Sequence, residues 1–261
     1  MPSRPSLFRR GPGSWYRSLK SLEFLVTRDR TAVRAFLRSA AIPPTVTTGE
    51  RIAVVRAFVR ITNGVRGYHT LGEMLRVAER ILQRTGAPEL AVVEAGAGKG
   101  ASTAKLSLAT ARAGGRLHVF DSFRGIPPND ERHVSIDGRD VVFRAGAFSA
   151  TLPSVRRVVE RHGAPAVCTF HKGWFEDTLP EFAAEVDVAL LDVDLLASTR
   201  TCVRWLWPKV KPGGSLFTQD GHLGAVVELL GDPQFWEREV GTPPPEIPGL
   251  GRDKLLEIVR R

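Results

Sequence analysis

The sequence predicts an α/β fold: a doubly wound, mostly parallel sheet behind an N-terminal helical extension. Three observations predict it. From Leu90 onward, short apolar runs alternate with amphipathic stretches at a period that suits strand–helix–strand units. One of these runs, Leu90-Ala-Val-Val-Glu94, passes through Ala-Gly96-Ala-Gly98-Lys-Gly100 into an alanine-rich segment, in the order strand, glycine turn, helix. Residues 15–86 instead carry apolar positions at helical spacing and two Thr-x-x-Glu helix starts.

The elements follow in order. Residues 1–14, with Pro, Gly and Arg, predict a disordered basic tail. Leu19, Leu22, Phe24, Leu25, Val33, Phe36 and Leu37 predict one or two short helices, ending before a turn at Ile42-Pro43-Pro44. Thr47-x-x-Glu50 opens a helix expected to run to about Val59 and to be broken by Asn63-Gly64. Thr70-x-x-Glu73 opens another, with Leu71, Met74, Leu75, Val77, Ala78, Ile81 and Leu82 on one face up to Gly86. Tyr68 and His69 stand at the junction before it. This prelude, residues 15–86, is expected to cover the sheet and a substrate opening, and residues 87–261 to form the ligand-binding domain. Strands are expected at 90–95, 116–121, 166–171, 187–193, 214–219 and 255–259, and helices at 99–113, 149–162, 198–207 and 222–230. Ligands of such sheets bind beyond the C-terminal strand ends. Glu94, Asp121, His171, Lys172, Asp192, Asp194, Gln219 and Asp220 fall at those ends.

A turn without side chains lets a ligand lie against backbone N–H groups at a helix N-terminus. The spacing Glu-x-Gly-x-Gly-x-Gly differs from the dinucleotide fingerprint, which disfavours a nicotinamide dehydrogenase. The next strand, Arg116-Leu-His-Val-Phe-Asp121, ends in an acid about twenty residues on, where a carboxylate can accept both hydroxyls of a ribose. Together these segments resemble the first motif region of class I S-adenosylmethionine-dependent methyltransferases, which implies a Rossmann-like sheet.

Further segments sharpen the resemblance: Val-Phe-Asp121-Ser122-Phe123-Arg-Gly125, His171-Lys172-Gly173-Trp174-Phe175-Glu-Asp-Thr-Leu-Pro180, Leu190-Leu-Asp192-Val-Asp194-Leu-Leu-Ala-Ser-Thr199 and Pro212-Gly-Gly-Ser-Leu-Phe-Thr-Gln219-Asp220. Over about residues 90–220 they resemble the macrocin and mycinamicin O-methyltransferase family, which modifies sugars on natural products. The resemblance implies S-adenosylmethionine bound by Glu94, Gly96, Gly98, Gly100, Ser102, Asp121 and Ser122. Gly173, Trp174 and Phe175 would lie beside the adenine. Asp192 would face the amino-acid end, close its strand, or serve as a further metal ligand. It also implies a divalent ion, typically Mg²⁺, on Asp194 and Asp220, with two neighbouring substrate hydroxyls. Where the family commonly has two adjacent acids, this chain has Gln219-Asp220, so Gln219 enters as a carbonyl ligand in place of a carboxylate. Asp194 and His222 are the candidate catalytic groups, His222 either as general base or as a residue that starts the next helix.

Composition sets the remaining bounds. Residues 1–86 hold 16 Lys+Arg against 5 Asp+Glu, so the formal charge of +9 belongs to the N-terminal part. These basic residues lack interleaved aromatics, which places nucleic acid behind a small-molecule, glycosidic acceptor as partner. An RNA methyltransferase and a non-catalytic cofactor-binding module remain the competing readings. Cys168 and Cys202 sit in apolar surroundings without pairing or metal spacing, as core thiols of a reducing compartment would. No apolar run reaches membrane-span length or the form of a secretory signal. A cytoplasmic enzyme, and possible homo-oligomers of it, are the expectation.

Overall fold

The computed structural model describes residues 29–261. The tail expected over 1–14 and the apolar positions Leu19, Leu22, Phe24 and Leu25 lie outside them. Three helices come first: α1 (Arg30–Arg38), α2 (Thr48–Gly64) and α3 (Leu71–Gln83). Both capping boxes form. The Thr47 side chain accepts from the Glu50 N–H while Glu50 Oε2 accepts from the Thr47 N–H at 2.8 Å, and Thr70 and Glu73 repeat the exchange. Each box satisfies two N–H groups that a helix start leaves free. Between α1 and α2 the guanidinium of the buried Arg51 donates to the carbonyls of Leu37, Ser39, Ile42 and Val46, closing the chain around itself.

The described residues hold eight strands, of which six form one sheet. Their ranges are β1 (Ala91–Ala95), β2 (Arg116–Asp121), β5 (Cys168–Lys172), β6 (Val186–Leu191), β7 (Val210–Thr218) and β8 (Leu256–Val259). Two-residue strands β3 (His133–Val134) and β4 (Asp140–Val141) make a separate hairpin. The order is β5-β2-β1-β6-β7-β8, with the first five strands parallel and β8 antiparallel to β7. All residues of β1 and β6 are buried, as the central strands of a sheet covered on both faces must be. The helices between strands are α4 (Ala101–Ala113), α5 (Leu152–His162), α6 (Phe175–Thr178), α7 (Leu196–Leu206) and α8 (Gly224–Gly231). The chain moves outward from β1 to β2 and β5, then returns to the other side of β1 as β6. That reversal opens a crevice above the ends of β1 and β6.

One apolar cluster joins Phe36, Phe58, Met74 and Ile81 of the first three helices to Val92, Leu117, Val188 and Phe217 of the sheet. The opposite face holds Val93, Phe120, Leu191 and Trp236 in a second cluster. Neighbours Val92 and Val93 point to opposite faces, the period of two that a strand dictates. At the end of the sheet away from the crevice, fully buried Asp187 accepts from Arg84 Nε at 2.9 Å, Lys211 Nζ at 3.0 Å and the Ala91 N–H at 3.1 Å. One carboxylate thus ties the starts of β1, β6 and β7 to the end of α3.

Two features depart from expectation. Helix α2 does not stop near Val59 but continues through Asn63 to Gly64. Ile61 is buried against Ala101 and Ala104 of α4, and Thr62 Oγ1 bonds back to the Phe58 carbonyl at 2.9 Å, so packing carries the helix one turn further, up to the Asn63-Gly64 break where it ends. The β3–β4 hairpin, the four-residue α6 and a π-type turn at Phe235–Val240 have no counterpart in the sequence pattern. Among the described residues no helix is long and apolar enough to cross a membrane.

Candidate active site

A cavity of about 530 Å³ lies over the C-terminal ends of β1, β2, β6 and β7. Of the residues singled out by sequence, Gly96, Gly98, Ser102, Asp121, Ser122, Gly173, Trp174, Phe175, Asp192, Asp194, Asp220 and His222 all line it. The turn after β1 is shaped for contact. Gly98 has φ +48°, and a Cβ there would meet nothing within 4 Å, because it would project into the open space. The Asp121 carboxylate reaches back to this turn, accepting from the Ala97 N–H at 2.7 Å and the Phe123 N–H at 2.6 Å. Burial pushes its carboxyl above the ordinary value, and those N–H donors hold it down in part.

Three of the cofactor and metal residues that the resemblance implies stand outside the cavity lining. Glu94 is completely buried beneath the turn beside the Ser102 and Thr103 hydroxyls, and burial pushes its carboxyl up to about 8. Gly100 faces α5, where a Cβ would press on Val155 and Val158 at 3.2 and 3.3 Å. Gln219 gives its N–H to the Leu191 carbonyl at 2.8 Å, and its buried side chain turns toward Glu73. These three support the walls from behind. At the end of β5, His171 also turns away: its ring stacks on Phe120 at 4.1 Å, and its Nε2 is 3.1 Å from His118 Nδ1.

The floor of the cavity is acidic. Asp192, Asp194 and Asp220 each bring one carboxylate oxygen within 4.8 Å of the others. Asp220 Oδ2 accepts from the Val193 and Asp194 N–H groups, both at 3.1 Å, while its buried Oδ1 has no partner among the described residues. Burial raises all three carboxyls, Asp194 to about 8; repulsion from neighbouring acids of the cluster adds to it at Asp194 and Asp220, and repulsion from Glu73 at Asp192. Asp194 holds φ +64°, a left-handed setting that side chains other than glycine rarely take. Lys254 lines the same floor and its charge opposes the repulsion.

Sequence reasoning did not foresee several lining groups. His69 puts Nε2 3.4 Å from Asp192 Oδ2, and burial lowers its imidazole to about 4. The only local signal for it was its place beside the Thr70 cap. Across from the acids, Tyr68 and Phe148 meet edge to face at 5.0 Å, with Ile126 and Phe143 nearby, in a wall of aromatic and apolar character. His222 is half-buried, its imidazole lowered by burial, with Nδ1 3.3 Å from the Gln219 carbonyl.

A doubly wound sheet with a glycine turn, a ribose-height acid on the second strand and carboxylates at the next strand ends defines a class I methyltransferase architecture. Residues 54–232 match the Macrocin-O-methyltransferase (TylF) family, and the chain belongs to it. A tetracenomycin-series 4'-O-methyltransferase of Streptomyces olivaceus, acting on a 2,3-dimethoxy-α-L-rhamnosyl compound, is 32% identical over 149 residues, or 54% of this chain and 56% of its own. Demethyldecarbamoylnovobiocin O-methyltransferase of Streptomyces niveus is 35% identical over 107 residues, 39% of this chain and 40% of its own. The matched part thus spans about half the length of these curated relatives or less. Among solved structures, the O-methyltransferase NovP aligns with a TM-score of 0.56 at 20% identity over 93% of this chain and 99% of its own. The calicheamicin methyltransferase CalS11 reaches 0.58 at 15% identity over 99% of both. At those identities the likeness is one of fold.

Proposed function

We propose that this protein is an S-adenosylmethionine-dependent O-methyltransferase acting on a hydroxyl of a sugar or glycosylated natural product, assisted by a divalent cation. The observation that carries this reading is the meeting, in one cavity, of the glycine turn, Asp121 and the Asp192–Asp194–Asp220 cluster. Gly96 and Gly98 leave backbone free to lie against the cofactor, Asp121 takes the ribose hydroxyls, and Trp174 and Phe175 flank the adenine. Three carboxylates, one with a buried and unpartnered oxygen, make the hard oxygen donor set that Mg²⁺ takes. Asp192 joins Asp194 and Asp220 in that set, and Gln219 supports it from behind. A divalent cation held there favours the deprotonated form of a neighbouring hydroxyl.

The chain's own residues supply the rest. His222 is kept neutral by burial at the edge of the cavity, and receives the hydroxyl proton. The freed oxygen then forms its bond to the methyl carbon as the carbon–sulfur bond breaks, and that electron pair returns to sulfur. Most of the acceleration comes from holding the two reactants in line. The aromatic wall of Tyr68, Phe143 and Phe148 suits the apolar remainder of a glycosylated acceptor, and the rhamnosyl compound named for the Streptomyces olivaceus relative agrees with that class.

The test is methyl transfer from S-adenosylmethionine to a panel of rhamnosides and other glycosides, with Mg²⁺ or with excess chelator. Asp220→Asn is expected to abolish metal-dependent turnover and to leave S-adenosylhomocysteine affinity within a few-fold. Full turnover in chelator would remove the cation from the mechanism. Failure to bind the cofactor at all would overturn the whole reading.

A further inference from the structure

Residues 122–151 make a thirty-residue excursion whose only regular structure is the two-plus-two-residue hairpin. It nevertheless builds the aromatic wall, through Ile126, Val141, Phe143 and Phe148. How so irregular a segment stays over the cavity is answered at the start of α7. That helix begins two residues after Asp194, and its cap position, Leu195, offers no side-chain acceptor. Its first N–H groups must find a partner elsewhere.

Glu131, from the excursion, supplies it. Oε2 accepts from the Leu196 N–H at 2.7 Å and Oε1 from the Ala197 N–H at 3.0 Å, with His133 Nε2 3.1 Å from Oε2. A carboxylate is also the charge that a helix N-terminus favours. A second tie lies beyond it: the Ile136 N–H donates to the His222 carbonyl at 2.8 Å, and Ser135 bridges to Leu223. The excursion is therefore fastened to both loops that carry the acids. Asp194 hangs between two anchors, its own N–H on Asp220 Oδ2 and the helix that Glu131 caps. A non-glycine residue keeps a left-handed φ only when its surroundings over-determine it.

We propose that Glu131 is a positioning residue for methyl transfer. By capping α7 from the far side of the cavity, it latches residues 122–148 over the site and holds Asp194 in its left-handed setting. This rests on the assignment of the acid cluster to the reaction. A stability-only cap would lower the melting temperature and leave the acids where they are.

Full-length Glu131→Ala and Glu131→Gln separate these roles. The probes are hydrogen exchange across the chain, Mn²⁺ titration as a stand-in for Mg²⁺, and S-adenosylhomocysteine calorimetry. Glu131→Ala is expected to speed exchange at least tenfold both in 122–148 and at the Asp194 amide, although Glu131 does not touch that amide. Mn²⁺ affinity is expected to fall about tenfold with S-adenosylhomocysteine affinity within threefold. Glu131→Gln, which keeps one acceptor oxygen, is expected to fall between the alanine variant and the parent, and it serves if the alanine variant does not fold. Parent-like exchange at Asp194 and in 122–148 in both variants would overturn the proposal. Should the parent itself bind no Mn²⁺, the cation assignment fails by itself and the exchange result still decides the role of Glu131.

Discussion

The buried carboxyl under the glycine turn gives a sharp test through Glu94→Gln. Glu94 has an ordinary value of 4.5 and is pushed up to about 8 by complete burial, with Asp121 and Asp192 adding repulsion. Between those two pH values the unfolded chain has released the proton and the folded chain has kept it. Stability from this group is therefore full below pH 4.5 and is lost as pH rises to 8. Each pKa unit corresponds to about 1.4 kcal/mol, so the whole interval amounts to a ceiling of about 5 kcal/mol. The Ser102 and Thr103 hydroxyls favour the ionised form and are already contained in the value of about 8, so the expected loss is about 5 kcal/mol. The E94Q variant has no proton to hold, and any offset its amide introduces does not change with pH. Its stability relative to the parent should thus climb by that amount from pH 4.5 to 8, or about 10 °C in Tm for a chain of this size. Parallel urea and thermal unfolding of both proteins from pH 4.5 to 9, without cofactor, measures the gap. An E94Q stability relative to the parent that stays constant, or that falls as pH rises, would refute a neutral buried carboxyl. Because Glu94 does not line the cavity, E94Q should also keep cofactor affinity within a few-fold, as calorimetry can check.

Two other perturbations address the cofactor cradle and the helical prelude. Gly98→Val places a branched side chain at φ +48° in the open cavity, and Asp121→Ala removes the ribose acceptor; each should weaken S-adenosylhomocysteine binding, the second by about 1–3 kcal/mol, and parent-like calorimetry for both would refute the cradle. Arg51→Met leaves the carbonyls of Leu37, Ser39, Ile42 and Val46 without their donor and should cost roughly 3 kcal/mol in urea unfolding, whereas a loss below about 1 kcal/mol would mean that water satisfies them.

Much of the architecture was legible in the sequence because burial writes itself into composition. The strands β1 and β6 read as apolar runs broken by a single acid each, since both of their faces are covered, and the Thr47 and Thr70 boxes announced two helix starts from local chemistry alone. Asp192, Asp194 and Asp220 were visible as acids at strand ends, a place that strand order turns into one floor. What stayed hidden depends on contacts distant in sequence. The extra turn of α2 between Val59 and Gly64 rests on Ile61 packing against α4, a contact that no local window contains. Strand alternation could not say that Glu94 turns under the loop or that Gln219 turns toward Glu73. Nor does any spacing rule connect His69 to Asp192, or Glu131 to the start of α7, because each pair is brought together only by the finished fold.

The charge cluster around Asp187 separates where this protein keeps its shape from where it changes its chemistry. The carboxylate fixes three parallel strands at one end, so their relative offset does not depend on what happens at the other. Apart from the ties through Glu131 and Ile136, the 122–148 excursion is then free to vary in sequence and length while the strand ends that carry the acids remain aligned. Diversification of acceptors within such a scaffold should accumulate in Ile126, Phe143, Phe148 and Tyr68, with Asp187, Arg84 and Lys211 as the fixed datum against which new pockets are cut.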